Sequence, residues 1–282
     1  MIAVVDYQKG NLKSVERGLI AAGGEALITA DVSEIAKADA IVLPGVGAFA
    51  DAAATMCELG QMEAIRDRVR AGVPFLGICL GEHLMFEHGV EGAPEGNPAC
   101  GLGLLPGTVV AMPRCDAQGK TFKVPHVGWN TIEMPACNGG AAVPPCGEGG
   151  GNAVLSSGGA GGGAARSSAA KRGLFEHGAF PGSAPQVGSE LAFPDSTPQP
   201  ESNLAFACPL FDGIAPGEYF YFTHSFIAPT GSHTIAETTH STRFTSAVQF
   251  GECAFGVQFH PEKSSDAGAR VLANFVAIAA RG

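Results

Sequence analysis

The sequence carries little charge, and very little of it is basic. Only 16% of its 282 residues are Asp, Glu, Lys or Arg, against about a quarter in ordinary globular chains. Acidic residues outnumber basic ones 27 to 17, the net charge is −10, and no basic run is longer than Lys171-Arg172. A surface of that sign repels phosphates and anionic headgroups, so neither nucleic acid nor a membrane surface is expected as a partner. No apolar stretch reaches the roughly 18 residues that a membrane span needs. The eight cysteines include no C-x-x-C pair, which leaves zinc and thioredoxin-type readings without support. The chain opens Met1-Ile2-Ala3-Val4-Val5-Asp6-Tyr7, with neither a basic leader nor a long apolar run, and is too long to need disulfide staples. A cytoplasmic protein with reduced thiols is the expectation.

Glycine is what the chain has in excess, 40 residues with no G-X-Y period. The excess has an address. Residues 136–200 hold 15 glycines and 7 prolines but only nine residues from the set Ile, Leu, Val, Met, Phe, Trp and Tyr. Such a stretch cannot bury enough apolar surface to offset the entropy of ordering it. It is expected to be a disordered insertion within a single domain spanning residues 1–282. Loop-closure entropy grows only logarithmically with length, so the host need not suffer.

Elsewhere strand and helix signals alternate. Ile2 to Val5, Ala26 to Thr29, Ala40 to Leu43 and Val73 to Ile78 are short apolar runs. Met56, Leu59, Met62, Ile65 and Val69 recur at three- and four-residue steps and predict one amphipathic helix over 51–70. Beyond residue 100 the pattern turns β-rich, with strands predicted at Leu104–Met112, Thr121–Pro125, Tyr219–Thr223, Ile235–Thr239 and Ala247–Phe250. A strand over Phe255–Phe259 and a helix over Ala267–Ala280 close the chain. The alternation predicts an α/β fold, a mostly parallel sheet flanked by helices, with added antiparallel strands.

Two turns carry candidate chemistry. Gly77-Ile78-Cys79-Leu80-Gly81 falls where a buried strand meets a helix, and glycines two residues either side of a nucleophile suit a strained strand-turn-helix elbow. A cysteine there points out of the sheet toward the positive end of a helix, which favours its thiolate. Taken alone, the pattern fits a packed cysteine just as well. In Gln258-Phe259-His260-Pro261-Glu262, residues two apart share a face of extended chain. Glu262 can then hold one imidazole nitrogen of His260 and leave the other for a thiol. A lone His-Pro-Glu would be an ordinary loop. Both turns end predicted strands, where open α/β sheets place their active sites, and together they point to a Cys-His-Glu triad.

With these motifs the chain resembles the class I (triad-type) glutamine amidotransferases, and within them the glutaminase subunits of imidazole glycerol phosphate synthase. Supporting segments include Asp6-Tyr7 with Gly10-Asn11, Leu43-Pro44-Gly45-Val46-Gly47, Lys123-Val124-Pro125-His126-Val127-Gly128-Trp129-Asn130, and Phe222-Thr223-His224-Ser225. The resemblance covers 1–135 and 203–282. It implies a glutaminase in histidine biosynthesis, with Cys79 as nucleophile, His260 moving protons and Glu262 orienting the imidazole. It further implies oxyanion donors from Leu80 and the Gly45-Val46-Gly47 loop, and a pocket for L-glutamine at His224 and Ser225. Asn11, His126, Trp129 and Lys263 would face a cyclase subunit, a (β/α) barrel forming a heterodimer with this chain and receiving its ammonia. A core position for Trp129 fits the sequence almost equally well. No metal or organic cofactor is implied.

Three departures from the family pattern stand out. Gly81-Glu82-His83 replaces Gly-Met-Gln, so His83 is expected to take over the glutamine's contact with substrate. Gln8-Lys9 replaces a glycine-containing pair, and Phe226 stands where tyrosine is frequent. The insertion itself is expected to be dispensable. A chain joining Pro135 to Ser202 through a short flexible linker should keep its melting temperature within a few degrees and its partner-coupled activity. Loss of cyclase binding on deletion would instead mark the segment as an arm that holds the partner.

Overall fold

In the computed structural model, residues 1–135 and 206–281 are described; the expected insertion at 136–200 lies outside the described residues. The chain runs β1 (Ile2–Val5), α1 (Leu12–Ala21), β2 (Ala26–Thr29), α2 (Val32–Lys37) and β3 (Ala40–Gly45). There follow α3 (Phe49–Glu58), α4 (Gln61–Arg70), β4 (Phe75–Cys79) and α5 (Leu80–His83). The middle holds β5 (Phe86–Gly89), β6 (Ala99–Cys100), β7 (Leu105–Ala111) and β8 (His126–Thr131). From residue 206 onward come β9 (Tyr219–His224), β10 (Phe226–Ile227), β11 (Thr234–Thr239), β12 (Arg243–Phe250), β13 (Ala254–Val257) and α6 (Ser265–Ala279).

Strand alternation decides which side of the central sheet each residue serves. Ile2, Val4, Val42, Leu76 and Ile78 pack on Val15 and Leu19 of α1 and on Val271 and Phe275 of α6. Their neighbours Ala3, Val5, Ile41, Leu43 and Phe75 face the other way, against Ile35 of α2, Phe49 and Met56 of α3, and Ile65 and Val69 of α4. Both faces are covered, which is why these strands read as continuous apolar runs. The sheet order is β11-β12-β13-β4-β3-β1-β2. The five strands from β13 to β2 are parallel, and β12 and β11 are antiparallel additions. A smaller sheet, β10-β7-β5-β6, and a β8-β9 ribbon complete the described part.

Two expectations need correcting. The single helix over 51–70 is two helices, because Gly60 takes φ 71° between them. A glycine adopts that left-handed conformation without strain, and the chain turns there while the apolar period continues. Nor is Thr121–Pro125 a strand. Only Thr121 makes a bridge, to Cys115, and the strand begins at His126.

The elbow depends on glycine for space. Cys79 takes φ 55° and ψ −105°, a region that costs a non-glycine residue of order 1–3 kcal/mol. A Cβ on Gly77 would lie 2.5 Å from the carbonyl oxygen of Gly81, and one on Gly81 would lie 1.8 Å from that of Leu43. Backbone cannot yield as a flexible side chain can. Gly81→Ala should therefore cost about 3 kcal/mol or more, read as a lowered urea midpoint, or should prevent folding; a variant as stable as its parent would mean that α5 can move away from β3.

Candidate active site

Register brings the two turns together. Cys79 ends β4 between β3, where it pairs with Gly45, and β13, whose Val257 pairs with Ile78. Three residues beyond β13 comes His260, held by its N–H to the Tyr221 carbonyl at 2.9 Å. The Ser264 hydroxyl fastens the same turn, donating to the His260 carbonyl at 2.6 Å and accepting from the Tyr221 N–H at 3.0 Å.

His260 Nδ1 lies 2.9 Å from Glu262 Oε1, and both side chains are buried. The same carboxylate oxygen accepts from Asn11 Nδ2 at 3.4 Å. Burial opposes a charged His260, but its contacts with the Cys79 thiol and with Glu262 prevail and push it up to about 9. The ring is thus an imidazolium at neutral pH. Its Nε2 makes no hydrogen bond of strict geometry; the sulfur is near enough to favour the proton electrostatically, and its place opposite Nδ1 leaves that nitrogen for Cys79. Glu262 is held below the usual carboxylate range: burial would raise it, and the hydrogen bond and charge of His260 outweigh that. The helix after Cys79 is a single turn, Leu80–His83. The helix dipole expected there has little length to act over.

Val46, Gly47, Cys79, Leu80, His83, His224 and Ser225 all border one open cleft of about 420 Å³, and Gly45 stands behind it. The expected docking residues divide. Trp129 is 51% exposed and stands beside Tyr221, over whose ring Lys263 Nζ lies at 5.8 Å. Val127 and Tyr219 are exposed on the same ribbon. His126 is buried, contrary to its expected place on the docking face, because alternation turns it away from Val127 and Trp129. Asn11 spends its amide on Glu262.

His126 belongs to a directional chain. Asn130 Nδ2 donates to His126 Nε2 at 3.3 Å, His126 Nδ1 to His224 Nε2 at 3.0 Å, and His224 Nδ1 to the Phe226 carbonyl at 2.8 Å. Burial lowers both imidazoles, His126 to about 4 and His224 to about 3, so both rings are neutral and each nitrogen has one role. His83 is buried as well and is lowered to about 4 by desolvation, against a hydrogen bond that favours its charged form. Its Nε2 meets Gln258 Oε1 at 2.6 Å. An amide oxygen only accepts, so Nε2 carries the proton and Nδ1 is left as an acceptor.

Three side chains at the site were not singled out from sequence. Gln258 lies in the V-Q-F-H-P-E motif, which could have pointed to it; it is fully buried and its Nε2 sits 3.7 Å from Cys79 Sγ. Tyr7 is buried with its hydroxyl where a Gly45 Cβ would go. Glu82 is wholly buried with both carboxylate oxygens unpartnered, and desolvation, with the Cys79 charge second, raises it well above the usual carboxylate range. Its Cγ packs where a Cβ on Gly256 would go. No periodic signal marks a one-turn helix, so neither the depth of Glu82 nor its neutrality was legible.

Residues 3–136 match the class-I glutamine amidotransferase family, the class that this elbow, His-Glu pair and sheet order also fit. The HisH subunit of imidazole glycerol phosphate synthase from Moorella thermoacetica is 34% identical over 276 residues, spanning 97% of this chain and 93% of that protein. Its counterpart from Rhodopirellula baltica is 33% identical over 277 residues, spanning 98% and 96%. The chain belongs to this family of imidazole glycerol phosphate synthase HisH subunits. Among solved structures, a crystal structure of a glutamine amidotransferase aligns over 99% of this chain and all of that one, with a TM-score of 0.56 at 15% identity. Thermotoga maritima PurLQS aligns over 98% and 97%, with a TM-score of 0.54 at 14% identity. At those identities the likeness is one of fold.

Glu82 makes stability depend on pH. With the folded value raised, the unfolded chain sheds its proton first as pH rises above about 4.5, and stability falls from there upward. Glu82→Met removes that slope and satisfies the cavity. It should stabilise the protein by about 1–3 kcal/mol at pH 8 and by less at pH 5, measured by urea unfolding at both values. A gap that stays constant with pH would mean that Glu82 is ionised in the folded state.

Proposed function

We propose that the chain hydrolyses L-glutamine to glutamate and ammonia, with Cys79, His260 and Glu262 as the catalytic triad. The observation that carries this reading is the meeting of a strained, cleft-facing cysteine with a buried imidazolium whose far nitrogen is held by a carboxylate. The Cys79 thiolate attacks the side-chain carboxamide carbon, forming a C–S bond and an oxyanion. The N–H of Leu80 and the Gly45-Val46-Gly47 loop receive that oxyanion. His260 gives its proton to the departing nitrogen as the C–N bond breaks, and ammonia leaves a glutamyl thioester. Water, deprotonated by His260, then attacks the thioester carbon; the C–S bond breaks, releasing glutamate and restoring the Cys79 thiolate beside the His260 imidazolium. Glu262 fixes the tautomer throughout. At the pocket end His83 Nδ1 accepts from the α-ammonium, a better match for a neutral ring than the carboxylate, while His224 and Ser225 complete the wall.

The relatives are named as subunits of a synthase, and a partner follows for this chain. It is a cyclase subunit with a (β/α) barrel, joined as a heterodimer in the cytoplasm and using the ammonia to form imidazole glycerol phosphate. The exposed Val127, Trp129 and Tyr219 supply an apolar face for it; aromatic anchors of this kind carry much of an interface's energy. That face adjoins the cleft, since Val127 pairs with the cleft residue Thr223, so ammonia has a short way to go. Cys79→Ala should abolish glutamate formation, assayed with the synthase partner present, and leave the circular dichroism spectrum unchanged. Turnover at the parent rate would end the triad reading.

A further inference from the structure

Cys79 has a buried polar neighbour that the triad does not use. The Gln258 side chain is fully buried, with Nε2 3.7 Å from Cys79 Sγ and Oε1 2.6 Å from His83 Nε2. Its backbone is fixed independently, the N–H donating to the Ser246 carbonyl at 3.0 Å. An amide in this place has two orientations, and they differ in consequence. With the oxygen toward His83, the N–H points at the sulfur. Reversed, the oxygen lone pairs would face an anion.

We propose that Gln258 is a further catalytic residue, donating its amide N–H to Cys79 Sγ to steady the anionic sulfur, and that His83 is the positioning residue that locks the amide in this orientation. Nε2–H of His83 is the only donor within hydrogen-bond distance of Oε1 among the described residues, and a hydrogen bond that short leaves the amide little freedom. The neutrality of the buried His83 ring supports the arrangement, because a single N–H then has a single direction to serve. A histidine at 83 lines the cleft and reaches the buried amide of Gln258 with Nε2. The inference rests on Cys79 as the nucleophile.

The test reads the sulfur directly and needs no partner. Cys79 on the full chain is alkylated with iodoacetamide between pH 6 and 10, and its modification is followed by peptide mass spectrometry. Gln258→Leu should slow Cys79 alkylation about tenfold at pH 7, the worth of one hydrogen bond to a charged group, and the deficit should close by pH 10. His83→Leu should shift the profile in the same direction. His83→Gln, whose amide N–H can replace the ring donor, should return it to within about twofold of the parent. A parent-like profile for Gln258→Leu, or a deficit that does not vary with pH, would overturn the proposal. Should Gln258→Leu fail to fold, the two His83 variants decide: a parent-like profile for His83→Leu overturns it equally. Failure of the triad reading is separable, because that is read from glutamate formation by Cys79→Ala. An inactive Cys79→Ala with an unaltered Gln258→Leu profile would sink only the role of Gln258.

Discussion

A cysteine held at positive φ, with no room for a side chain on either side of it, is the constraint on which the site rests. Cys79 can face the cleft only if β4 ends abruptly and α5 folds back against β3, and that return path passes within van der Waals reach of backbone at Gly77 and Gly81. Several other features follow. Gly45 must let Tyr7 and Leu80 approach, Gly256 must leave room for Glu82, and the parallel neighbours β3 and β13 deliver the Gly45-Val46-Gly47 loop and His260 to the two sides of one sulfur. The strain at one residue is sustained by burial on both faces of a seven-stranded sheet.

Electrostatically the site separates its titrating groups by burial and partner. Buried imidazoles without a carboxylate, His83, His126 and His224, are driven neutral, whereas His260, equally buried, stays charged because Glu262 and the thiol face it. The contrast lies in the partners, since all four are histidines out of solvent. Asn11 at the start of α1 shares Glu262 with His260, so the N-terminal helix takes part in holding the ring.

Much of this was legible in the sequence. The apolar runs that became β1, β3, β4 and β13 were readable because burial on both faces demands uninterrupted hydrophobicity. Glycines flanking Cys79 and the spacing of His260 and Glu262 marked the two turns that the fold brings to one site. What was not legible has physical reasons. The break at Gly60 leaves the helical period intact, so periodicity passes over it. His126 sits in the same short block as Trp129 but on the opposite face, and a motif read as a block loses that parity. Gln258 and His83 are 175 residues apart in sequence, and the contact that joins them is made only by the pairing of β4 with β13.

That pairing also orders events in time. β13 is the last strand of the chain and it inserts between β4 and β12. A polypeptide emerging N-terminus first therefore presents β1 to β4 with one long edge of β4 uncovered, a surface prone to adhere to other strands. Cys79 is translated long before His260 and Glu262, which arrive within the final stretch together with the strand that seals the edge. An incomplete chain is consequently sticky, so truncation by premature termination yields material that exposes itself to degradation.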